Sequence, residues 1–174
     1  MSIEKIQLPL TDNIIRDLNC GDCVLLTGTI YTGRDDAHMR LTDMIKEGRE
    51  LPVDLNGLCI YYAGPCPAKP GKVIGSAGPT TSSRMDSMTP ELLDRGLKGM
   101  IGKGLRSEEV IESMKKNCCV YFAAIGGAGA LLANRIMKAE VVAFEDLGPE
   151  AIYRLEVEDF PVTVAVDCRG NSIY

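Results

Sequence analysis

The sequence predicts a single α/β domain over residues 1–174, with a mixed β-sheet and flanking helices. Three observations carry that expectation. Strand-like and helix-like segments alternate through the middle of the chain, whereas strand follows strand near its end. Hydrophobic residues make up 45% of the 174 and charged residues 25%, the balance of a globular chain able to bury one sizeable core. No repeat, low-complexity tract or linker divides the chain.

Ile3 to Asn19 reads as a polar lead-in in which Ile14, Ile15 and Leu18 can form one helical turn. Gly21-Asp22 opens a strand, Cys23 to Thr29, with the nearly continuous apolar character of a buried strand, and Thr32-Gly33 ends it. Arg34 to Glu47 is a helix: Met39, Leu41, Met44 and Ile45 share a broad apolar side, and Asp35 and Asp36 suit its positive N-terminal end. A connector with an Asn56-Gly57 turn leads to a second strand, Leu58 to Ala63.

Tyr62 to Asp86 is then a long irregular segment rich in Gly and Pro, interrupted by a short strand at Lys72 to Ser76. Ordering so much loop loses backbone entropy with little apolar burial in return, which marks it as a functional candidate. Thr80 to Ser83 can cap a helix near Arg84, and Thr89-Pro90 starts another with Thr89 as N-cap. Gly99 to Gly102 is a brief strand, Ser107 caps a helix to Lys116, and Cys118 to Ile125 is a strand. Gly126-Gly127-Ala128-Gly129 leads into a helix from Ala130 to Lys138, followed by a strand from Glu140 to Phe144. Alternation at Tyr153 to Val157, and again at Val162, Val164 and Val166, gives two half-buried strands, and Arg169-Gly170-Asn171 turns into a last short one.

Bulk properties narrow the function. A formal net charge of -5 argues against nucleic acid or an anionic membrane as partner, and three Phe with no Trp leave little for base stacking. No apolar run approaches membrane-spanning length and MSIEKIQLPL has no signal-peptide core, so a cytoplasmic protein is expected. Seven Cys is an odd number without disulfide spacing, which favours free thiols.

Two motifs weaken on inspection. Gly126-Gly127-Ala128-Gly129 lies between strand and helix, but the third glycine of a dinucleotide fingerprint would fall at Leu132, so a tight turn is the better reading. Cys20-Gly21-Asp22-Cys23 has no second C-x-x-C, and buried free thiols explain the other cysteines better than a self-contained metal site. His38, four residues after Arg34, reads equally as a solvated or capping histidine or as an acid/base or substrate contact. A more specific pattern joins Thr80, Arg84 and Lys103. Hydroxyls, a guanidinium fork and an ammonium group held between Gly102 and Gly104 together suit a small di-anion.

The segments TGTIYTGRDDAH, YYAGPCP, GSAGPTTSSRMD, MIGKG, GGAGALLA and EDFPVTVAVDCRGNSIY resemble the iron–sulfur (class I) fumarase and L-tartrate dehydratase family. The likeness is to its β subunit, equivalent to the C-terminal domain of the single-chain enzymes, over nearly the whole chain. It implies a swivelling β/β/α fold and reversible hydration of fumarate to L-malate through a [4Fe–4S] cluster. That cluster would be bound by an α subunit in an α₂β₂ assembly and not by this chain. It further implies that Arg34 and Arg84 grip the substrate carboxylates and that Lys103 adds a third cationic contact. Thr80 takes a substrate-binding and proton-transferring position, with His38 also catalytic. Thr81, Ser82 and Ser83 become secondary contacts through backbone N–H groups. The residues of TGRDDAH and VEDFPVTVAVDCRGNS look closer to the fumarase side than to tartrate dehydratase. A domain that binds a dicarboxylate or a partner without catalysis is the alternative of a different class.

Overall fold

The computed structural model describes residues 3–124 and 129–174. Its framework is seven strands: β1 Glu4–Gln7, β2 Cys23–Thr32, β3 Cys59–Tyr61, β4 Gly99–Gly102, β5 Val120–Ala123, β6 Ile136–Ala143 and β7 Ile152–Val166. β1 to β5 run parallel to their neighbours, and β7 lies antiparallel to β2, β5 and β6. Because β7 pairs with both β2 and β5, the strands β2, β3, β4, β5 and β7 close into a ring, with β1 and β6 laid alongside. The mixed α/β expectation holds.

The period-two alternation of the short strands divides the core. Tyr61, Ile101 and Phe122 belong to the cluster that fills the ring, together with Leu26, Ile30, Leu155, Phe160 and Val164. Their neighbours Ile60, Met100 and Tyr121 face outward, into a second cluster. There they meet α2 (Asp35–Lys46), α3 (Thr89–Asp94) and α4 (Glu108–Asn117) through Ala37, Leu41, Leu92, Leu93, Val110 and Met114. The first helix, α1 (Asp12–Asp17), adds Ile15 to the ring cluster. Ile74 and Ala77 of the irregular segment and Leu132 of α5 (Gly129–Ala133) join that cluster too.

Several expected boundaries move. β7 is one strand where two were expected: Asp159 takes a positive φ of 50° at a bulge, shifting the inward set from Leu155 and Val157 to Phe160, Val162 and Val164 without breaking the strand. Residues 134–138 are not helical, because Ile136 and Lys138 pair with Val157 and Glu156 and β6 begins there. No strand forms at Lys72 to Ser76. Cys66 and Ser76 instead tie the loop to itself (Cys66 N to Ser76 O 2.9 Å), and Gly75 packs against the Cys66 and Pro67 backbone, where no side chain would fit. Thr89 is not an N-cap: it is the first helical residue and its hydroxyl donates to the Met85 carbonyl at 2.8 Å. Ser107 does cap α4, accepting from Val110 N at 3.3 Å. The GGAG turn falls on residues 126–128, outside the described residues, up to Gly129. No helix among the described residues is long and apolar enough to cross a membrane.

Candidate functional site

Four neighbouring parallel strands bring their C-terminal ends to one edge of the ring, the edge at which α/β sheets commonly bind ligands. Gly33 and Arg34 follow β2, Tyr62 to Gly64 follow β3, Lys103 and Gly104 follow β4, and Ala124 follows β5. Backbone hydrogen bonds continue past the strands: Gly33 N to Tyr61 O at 3.0 Å, Tyr62 N to Ile101 O and Ala124 N to Gly102 O at 2.8 Å each. The irregular segment returns across the same edge. Thr80 N donates to Tyr62 O at 2.7 Å, Thr81 bridges Lys103, and Ser82 N donates to Lys103 O at 2.9 Å.

Arg34 stands at the N-cap of α2 with extended backbone (φ -121°, ψ -158°). Its side chain makes no ion pair among the described residues, and its Nε is buried without a hydrogen-bond partner. Asp35, the next residue, receives Arg84 through Nε at 2.9 Å and Nη2 at 2.8 Å, both on Oδ2. Arg84 sits in a short 3₁₀ turn, Ser82–Met85, and is half exposed, so its other guanidinium edge is open. Asp35, the chain neighbour of Arg34, thus ties Arg84 to the start of α2.

His38 is fully buried. Its Nδ1 lies 2.7 Å from the Arg34 carbonyl, which can only accept, so Nδ1 carries the proton. Nε2 is buried without a partner among the described residues, and the ring packs edge-on against Tyr62 with centroids 5.4 Å apart. Burial pushes the imidazole pKa down to about 4, against the Arg34 carbonyl, which favours the charged form. His38 is therefore a neutral group enclosed by protein.

Thr80 is half-buried, while Thr81, Ser83 and Lys103 are exposed along the edge. Ser82 differs. Its N–H is taken by Lys103 O, and its hydroxyl meets Tyr121 Oη at 2.7 Å, which in turn donates to Gly104 O at 2.9 Å. Ser82 thereby fixes the Lys103-Gly104 turn from below.

Two of the seven thiols, Cys59 and Cys119, are poorly suited to hold an iron–sulfur cluster. Among the described residues no three His, Cys, Asp or Glu side chains group to hold a metal. Cys59 and Cys119 are buried, and burial raises both thiol pKa values, that of Cys119 to about 12, away from the thiolate that a metal needs. A surface concavity of about 840 Å³, lined by residues that include Val73, Met137, Glu140, Arg154 and Glu156, contains none of Arg34, Arg84 and Lys103. It carries none of the sequence-named groups.

The family model described as Fumarase C-terminus matches residues 2–174. The chain belongs to the Fumarase C-terminus family. It is 43% identical over 171 residues to a Methanocaldococcus jannaschii protein named "Putative L(+)-tartrate dehydratase subunit beta", covering 95% of this chain and 88% of that one. It is 45% identical over 151 residues to an Escherichia coli protein named "Fumarate hydratase class I, anaerobic", covering 86% of this chain and 28% of that enzyme. A Leishmania major protein named "Fumarate hydratase 2" is 40% identical over 156 residues, with 88% and 28% covered. The chain thus spans most of the archaeal subunit but less than a third of these fumarate hydratases.

In this Fumarase C-terminus chain, sequence reasoning missed the support beneath the site. Arg106, its side chain wholly buried, pairs with Asp86 (Nε to Oδ1 2.7 Å) and donates to Tyr62 Oη and Thr89 Oγ1 at 3.2 and 3.1 Å. Its guanidinium also lies over the Tyr62 and Tyr121 rings, 5.2 and 4.8 Å from their centroids. Asp86, at the end of the GPTTSSRMD stretch, additionally accepts from Ser107 N at 2.8 Å. Only Arg–Asp complementarity across twenty residues could have hinted at this pair, and such pairings abound in any sequence.

Proposed function

We propose that this chain is the β-type subunit of an iron–sulfur hydro-lyase that interconverts fumarate and L-malate, with the active site shared with an α-type partner. The observation that carries the reading is the placement of Arg34, Thr80, Thr81 and Lys103 on one strand-end edge, with Arg84 joined to it through Asp35. Three cations with open donors at one edge suit a small dicarboxylate. The family match and the relatives' names support the chemistry, and the coverage supports a second chain that supplies the rest of the enzyme.

Removing the proton α to a carboxylate of L-malate pushes charge onto that carboxylate. Positioned Arg and Lys groups stabilise this charge more than the ground state, which lowers the barrier. Arg34 and Arg84 hold the two carboxylates, and Lys103 offers a compact charge to the group on which electron density builds. Thr80 binds the substrate and relays the proton, activated by a carboxylate of the partner, since a Thr hydroxyl is a weak base alone. Thr81 and Ser83 contribute from the loop backbone. Ser82 holds the Lys103 turn, and neutral His38 acts through the carbonyl of Arg34. The [4Fe–4S] cluster belongs to the partner in this proposal, the assembly is α₂β₂, and its compartment is the cytoplasm.

Near-complete coverage of the archaeal relative favours L-tartrate dehydration as the second reading. The test is anaerobic turnover of fumarate, L-malate and L-tartrate by this chain alone and mixed with an iron–sulfur α-type subunit. Fumarate hydration only in the mixture is the expected result. Turnover of L-tartrate alone moves the substrate, and unchanged turnover in Arg34→Ala and Thr80→Ala assemblies removes catalysis from this chain.

A further inference from the structure

We infer that Gly64 is a positioning residue for Arg34, acting by having no side chain; the inference rests on the role of Arg34 proposed above. The chain leaves β3 through Tyr62-Ala63-Gly64, and the Arg34 side chain lies directly on Gly64. A Cβ at Gly64 would stand 3.1 Å from both Cδ and Nη1 of Arg34 and 3.3 Å from the Pro149 carbonyl oxygen. These distances are tighter than ordinary carbon contacts, so something would have to give. The backbone of Gly64 does not explain the glycine, because its φ lies outside the left-handed region in which side chains are disfavoured. Close approach of Arg34 does.

The surroundings hold the arginine from other sides as well. Its own carbonyl accepts both the His38 N–H at 2.9 Å and the His38 ring. The turn containing Pro149 is tied to α2, through Asp36 N to Glu150 Oε1 at 3.3 Å and through the Arg40 fork on Asp146 at 2.8 and 2.9 Å. Arg34 thus lies against Gly64 with its Nε buried and Nη1 beside the glycine, and the Pro149 carbonyl closes the same glycine from another side. A long side chain held in one rotamer before substrate arrives loses less freedom on binding, which is the advantage a glycine seat gives. An added methyl group displaces the flexible guanidinium more readily than it displaces the Pro149 backbone.

The first experiment needs no activity. In the full chain, Gly64→Ala is treated with phenylglyoxal, an arginine-selective dicarbonyl, and each arginine's modification rate is read by peptide mass spectrometry. Arg34 reacts severalfold faster in the variant, and exposed Arg16 reacts at the same rate in both. An unchanged Arg34 rate overturns the proposal, whatever reaction the enzyme catalyses. In the assembled enzyme, Gly64→Ala lowers kcat/KM about tenfold, mainly through KM, and changes it less than twofold when Arg34 is already Ala. Equal losses in both backgrounds overturn the proposal. An Arg34→Ala assembly of full activity instead removes the proposed function of Arg34 and leaves the labelling result standing. If Gly64→Ala unfolds the chain, adding Arg34→Ala recovers its Tm; failure to recover places the clash on Pro149 and also overturns the inference.

Discussion

Acid sensitivity should trace to one residue. His38 is the only histidine of the chain, and burial holds its pKa at about 4 in the folded state against 6.5 when exposed. Between those values the unfolded chain binds a proton that the folded one refuses. Stability is therefore fully present above pH 6.5, falls as pH drops toward 4, and levels off below. A difference of about 2.5 between the two values, at about 1.4 kcal/mol per pH unit, gives a full loss of about 3.5 kcal/mol, of which about 3 kcal/mol is reached at pH 4. His38→Asn isolates the effect, since its side-chain amide can donate to the Arg34 carbonyl as Nδ1 does, yet does not titrate. The variant should be less stable at pH 7 by about 1–3 kcal/mol, having lost the packed ring against Tyr62. Urea denaturation of both proteins at half-unit steps from pH 7.5 to 4 provides the assay. The difference between them should shift by about 3 kcal/mol in favour of the variant toward pH 4, closing or reversing the gap, while carboxylates common to both cancel. A gap that stays constant across the range would refute the neutral, buried imidazole.

Two further predictions concern the arginines. Arg84→Lys should lower kcat/KM of the assembled enzyme about tenfold or more, because Lys cannot lie on Asp35 through two nitrogens and keep a second edge open; near-wild-type kinetics would place Arg84 outside the site. Its Tm should move little, since the pair is half exposed and such pairs contribute about 1 kcal/mol or less. Arg106→Met should destabilise the chain by about 3–5 kcal/mol by leaving Asp86 largely buried without its cation. Adding Asp86→Asn should recover part of that loss in the same denaturation assay, and a single variant within 1 kcal/mol of wild type (about the margin of a surface change) would contradict the pillar role.

Much was legible where the cause is local. The apolar runs around Cys59–Tyr61 and Val120–Ala123, the Ser107 cap and the acidic start of α2 each depend on residues a few positions apart, so the sequence displays them directly. The motifs around Arg34, Thr80 and Lys103 were visible for the same reason: few folds need those residue types beside so many glycines. Ile136 to Lys138 carry no decisive local preference, and their pairing with Val157 and Glu156 made them strand. The kink at Asp159 that keeps β7 continuous and lets it close the ring is likewise chosen by partners more than a hundred residues away. Tertiary structure alone decided how the named groups are used. It buried His38 as a neutral imidazole, set the Ser82 hydroxyl on Tyr121, brought Arg34 close to Gly64 and placed Arg106 beneath the loop. A sequence records which groups are available, but close approach and burial arise only when distant segments exclude water together. Those two conditions are what turn an ordinary arginine into either a pillar or an open hand.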